Sequence, residues 1–282
     1  MSRNYYTLDP DRVYLMRQNP PLHFNRGRGG AKIQFITRHH LMMIGEVEAV
    51  VDRVWNTRQA SAHVVIGPRG LWGQAVWDRD TAWANASPWA NARTIAIEHS
   101  NNTGRHAGND YHDRSWNISD ETIIAGARVS AAYCLHEGLG RPVYGRNIRD
   151  HNEFTATGCP VHLQGPRGGN AWGGKAGKYH YPWMEEATAF YDLLDKKLVN
   201  ADGTPITPKF PPPTKEDDMA EGLETIIEVA NGDKHPAKSL IKWTDERVYE
   251  LTREGGTLDE MRQAQARIEA KLDSLLDKED KA

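Results

Sequence analysis

The sequence contains no apolar run of the roughly 20 residues a membrane-spanning helix needs. Its first residues, MSRNYYTLDPDRVYLMRQ, lack the unbroken apolar core of a secretory signal. The chain is therefore expected to be made in the cytoplasm, and another agent must deliver it to any target outside. Cysteine is scarce. Cys134 and Cys159 are the only two among 282 residues, which excludes a disulfide-stapled scaffold. Cys134 lies in a small-residue, apolar stretch and reads as a core thiol. Cys159 lies in a loop near a histidine and reads as a functional thiolate. Strong charge of one sign is also missing. The formal net charge is only −3, too little for a protein built around nucleic acid.

The small net charge conceals an asymmetry. Residues 214–282 carry 18 acidic and 11 basic side chains, whereas residues 1–213 carry 20 acidic and 24 basic. The mildly basic front suits an acidic polymer such as a cell wall. Four regions follow from composition: an arm (1–30) rich in Pro, Arg and Gly, a domain (31–200), a Pro-rich linker (201–214) and an acidic helical region (215–282). Within the last, Thr257 and Glu260 form a capping box. Leu258, Met261, Ile268, Leu272 and Leu275 then trace a short coiled-coil-like seam. It could make a homo-oligomer or fold back as a hairpin.

In the domain, period-2 and β-branched patterns predict strands over 33–40, 61–67, 72–77 and 93–99. Period-3.6 patterns predict helices over 45–56, 118–139 (with Ser119 as N-cap) and 181–198. Alternating strands and helices predict an α/β fold, a mixed central sheet with helices on its faces.

His39 and His40 close the first strand, and His151 and Cys159 stand eight apart in a later loop. Two imidazoles and a thiolate form a three-ligand set that leaves the fourth tetrahedral position of a zinc ion open for water. Twelve histidines in the chain make this weak taken alone.

The order of the pieces carries more. His-His at a strand end, S-A-H-V-V-I, D-R-D-T-A-W, I-A-I-E, a long helix and then H-x7-C-P resembles the type 2 N-acetylmuramoyl-L-alanine amidases, relatives of the peptidoglycan recognition proteins. The resemblance spans about residues 33–163. Residues 61–99 are similar to amidase domains in lysins of actinobacterial phages. It implies zinc on His39, His151 and Cys159, with His40 in reserve, and Glu98 as general acid–base. The bland alternative for Glu98 is an ion pair with Arg93 or His99. Thr157, two before the cysteine, takes a position that is lysine in some relatives; its hydroxyl could steady an oxyanion. Ala62 replaces a tyrosine and Ala84 a histidine common in the family. Trp83 and His63 are the candidates for substrate contact.

The implied activity is hydrolysis of the amide between N-acetylmuramic acid and L-alanine in peptidoglycan by a phage endolysin released to the wall, with a holin opening the way. Two rivals keep the same motifs: a peptidoglycan-binding module without catalysis, and a zinc peptidase cutting within the stem peptide.

Overall fold

The computed structural model describes residues 3–102 and 116–206. The chain divides into two units, 1–207 and 208–282. The acidic helices, the capping box and the apolar seam lie outside the described residues.

A six-stranded sheet organises the first unit, in the order β1 (Arg12–Val13), β5 (Trp72–Gln74), β4 (Val64–Ile66), β7 (Thr94–His99), β3 (Phe35–His40), β8 (Ile148–Asp150). Only the β4–β5 pairing is antiparallel, so the sheet is mixed. A two-stranded ribbon joins β2 (Phe24–Asn25) to β6 (Thr81–Ala82). All six residues of β3 are buried, as expected of a parallel strand flanked by neighbours and covered on both faces.

Helices cover both faces. On one, α3 (Asp120–His136) and α4 (His180–Asp195) pack over Ile36, Val64, Ile66, Ile95 and Ile97. Ser119 caps α3 as its sequence predicts, its Oγ accepting from the Thr122 N–H. Small residues let α3 lie close to the sheet. A Cβ on Gly126 would stand 2.1 Å from His99 Nε2. On the other face, α1 (Val47–Val50) continues as a π-helical turn to Trp55 and buries Val47, Val50 and Val51 against Val65 and Ala96. A short α2 (Pro88–Asn91) leads into β7.

The first thirty residues contribute to this core. Tyr5 packs edge-on against Phe190, with ring centroids 4.8 Å apart, and Met16 is buried on the α1 side. Residues 198–206 fold back on themselves, the Ile206 N–H donating to the Leu198 carbonyl. Among the described residues, no helix is long and apolar enough to cross a membrane.

Candidate metal centre

The parallel strands β7, β3 and β8 all end at one edge of the sheet. In register, His39 stands opposite Glu98, and Arg38 opposite Asp150. His151 follows Asp150 directly, opening a 3-10 turn whose N-cap is Asp150. Cys159 arrives from the loop beyond. Its carbonyl accepts from the Asn152 N–H at 3.1 Å, its own N–H donates to Thr157 Oγ1 at 3.3 Å, and its Sγ accepts from the His40 N–H at 3.4 Å. The ligand atoms of His39, His151 and Cys159 then lie within 4.8 Å of one another. His39 Nδ1 is 3.8 Å from Cys159 Sγ, and the two imidazole rings are 4.5 Å apart.

Burial and missing partners make this cluster a candidate ligand site. His39 Nε2, both nitrogens of His151 and Glu98 Oε2 are buried without a hydrogen-bond partner. Buried polar groups are rarely left so, because each then forfeits its hydration without return. Burial, followed by the neighbouring His151, holds the His39 imidazolium well below its ordinary pKa, and burial lowers His151 to about 4. Both are therefore neutral near pH 7, the form that binds metal. Burial and then Glu98 raise the Cys159 thiol, so a cation must displace its proton. Two imidazoles and one thiolate fit tetrahedral zinc with a position open.

Glu98 makes neither of the ion pairs that would render it structural. The Arg93 guanidinium lies over Trp89 and donates to that residue's carbonyl. His99 donates from Nδ1 to the His39 carbonyl at 2.8 Å and accepts from the Trp183 indole at 3.0 Å. Burial pushes the Glu98 carboxyl up to about 8, with Arg58 opposing. His40 turns away from the cluster and stacks on Trp116, centroids 4.7 Å apart and planes 8° from parallel.

Residues 29–162 match the family described as N-acetylmuramoyl-L-alanine amidase. This stretch belongs to the type 2 amidase family. It contains His39, Glu98, His151 and Cys159. No curated protein matches the chain. Among solved structures, PlyL is 15% identical, covering 63% of this chain and 96% of its own, with a TM-score of 0.45. The catalytic domain of XlyA is 12% identical over 62% and 98%, TM-score 0.43. The Staphylococcus aureus hydrolase AmiA is 14% identical over 68% and 88%, TM-score 0.44. At such low identity and overlap these three carry no functional weight; the family match and the site do.

The amidase domain places the remaining candidates unequally. Thr157 sits beside the cluster; its hydroxyl oxygen accepts from Cys159, which leaves the hydroxyl proton free to donate. Trp83 borders a pocket of about 640 Å³, with Asn25, Arg26, Thr81, Ser87 and Asn91, and its indole donates to Asn25 Oδ1 at 3.1 Å. None of the four cluster residues lines that pocket.

His63, the other candidate for substrate contact, is packed and hydrogen-bonded inside the domain. It is fully buried, its Nδ1 accepts from the Ala96 N–H, and the remaining Nε2–H donates to the Asp80 carbonyl. Asn85 carries no signal in the sequence yet lies fully buried beside His39. Its neighbour Ala86 adopts a left-handed φ of 51°.

Proposed function

We propose that the amidase domain is a zinc hydrolase that cuts the bond between the lactyl group of N-acetylmuramic acid and the L-alanine of the stem peptide. The observation that carries this reading is the convergence of His39, His151 and Cys159, with unpartnered buried nitrogens, beside the unpartnered Oε2 of Glu98. His39, His151 and Cys159 would hold the ion, which when bound supplies Lewis acidity for a carbonyl and acidifies water towards neutral pH.

The chain's own residues do the rest. Glu98 takes the proton of the attacking water and returns it to the departing alanine nitrogen. Its buried setting suits both tasks, because a carboxyl titrating near the working pH can accept and release. Thr157 offers its free hydroxyl proton to the oxyanion, a weaker aid than a cation would give. Asn152 and the His40 N–H fix Cys159, so the thiolate need not search for its position. A non-catalytic wall-binding role leaves this whole donor set without a purpose. The resemblance of residues 61–99 to lysin amidase domains supports a role in phage-driven lysis.

Metal analysis tests the site. Purified protein should carry one zinc per chain, and Cys159→Ser and His151→Ala should lose most of it. Full zinc content in either variant would remove that residue from the ligand set.

A further inference from the structure

Arg38 and Asp150 form an ion pair with no exposed side-chain surface on either partner. Both Arg38 Nε, at 2.9 Å, and Nη2, at 2.8 Å, reach Asp150 Oδ1. The other carboxylate oxygen accepts from the Gly165 N–H, and Nη2 also stands 3.2 Å from His180 Nδ1. The guanidinium lies 4.9 Å over the Trp183 ring and 5.4 Å over Tyr144, while its Nη1 has no hydrogen-bond partner. Such a pair is a poor device for stability, since desolvating two charges roughly cancels their attraction and apolar replacements often do as well. What a buried pair does well is fix register.

Its place in the sheet gives that property a use. Arg38 and Asp150 are register partners on β3 and β8, and each precedes a histidine of the cluster by one residue. Side chains alternate along a strand, so Arg38 points to the α3 and α4 face while His39 points to the opposite one. The strand β8 is only three residues long and pairs with β3 through three positions, a contact short enough to slip. A slip of one residue would face Asp150 with Thr37 or His39, strand both charges and separate the two imidazoles.

We propose that the Arg38–Asp150 pair is a positioning device that holds His39 and His151 at metal-binding separation from behind the sheet. This rests on the metal reading above and adds to it two residues that never touch the ion. The pair tightens metal binding without adding much to the stability of the fold.

The test uses full-length protein and compares zinc affinity, by chelator competition, with the melting temperature of the metal-free form. Arg38→Met combined with Asp150→Asn removes both charges and keeps one acceptor oxygen for Gly165. It should leave the metal-free melting temperature within a few degrees of the parent and weaken zinc binding by about 10–100-fold, the range seen when support of a ligand is lost. Unchanged zinc affinity in the folded double variant would overturn the proposal. If that variant does not fold, Arg38→Lys decides. It keeps the charge without the Nε donor, and a tenfold or greater loss of zinc affinity at unchanged melting temperature supports the device. Unchanged affinity overturns it. Parent protein that takes up no zinc would instead refute the metal reading, and this inference with it.

Discussion

His39 and Glu98 stand opposite each other in register on neighbouring parallel strands, and strand alternation turns both to the same face. The imidazole and the carboxylate are thus placed by the sheet rather than by a loop, which suits the proposed proton transfer, since that depends on fixed geometry. Glu98→Gln should keep its zinc and its melting temperature while turnover falls by about 10²–10⁴, the contribution of a general acid–base. Activity within a few-fold of the parent would move the proton-transfer role to another group.

Acid should weaken the domain through its buried histidines. Burial, aided by the Arg28 guanidinium, pushes His63 down to about 3, from an ordinary value of 6.5. The unfolded chain takes up a proton below about pH 6.5 that the folded chain refuses. His63 therefore contributes full stability above that pH and loses about 1.4 kcal/mol for each unit of acidification below it. Glu98, pushed up, works in the opposite sense, so the test compares a variant with its parent. Denaturant titrations at pH 7.5 and 5 should show His63→Gln losing less stability on acidification than the parent. Equal losses would mean that His63 is not held neutral in the fold.

Ala86 sits at a φ of 51°, where a β-carbon crowds the backbone and glycine does not. Ala86→Gly should hold or raise stability, by up to about 1 kcal/mol, the unfolded chain's greater freedom offsetting part of the relief. Ala86→Val should lower it, since β-branched residues tolerate this region least. Thermal melts of the two variants give the order; a valine variant as stable as the glycine one would contradict it.

Much of this was legible in the residues. The strands that carry His39 and Glu98 are long, β-branched and internal, and the Ser119 cap and the helix after it carry a regular pattern. Short elements left too little pattern to read. β1, β2 and β6 have two residues each, and β8 has three. Without β8, nothing tied His151 to the edge of β3, and Arg38 within FITRHH gave no hint of a partner 112 positions away. The packing around His63 was illegible for a related reason. A strand histidine reads the same whether it faces a groove or lies beneath an arginine, and only the packing of Arg28 distinguishes the two.

Residues 1–207 form a unit of their own, with the two core layers already complete in the described residues. A 1–207 truncation should melt within a few degrees of the full chain and still cleave soluble wall fragments. If the acidic segment serves targeting or self-association, only activity on whole cells will fall. A truncation that unfolds would show that residues 208–282 complete the domain.

The most direct test of a metal-dependent amidase is digestion of purified peptidoglycan, with and without a chelator, followed by mass spectrometry of the products. The account predicts intact stem peptides beginning with alanine, released from otherwise uncut glycan strands. Their release should stop when the chelator is present and resume when zinc is restored. Peptides cut at an internal bond, or release that continues undiminished under the chelator, would contradict it.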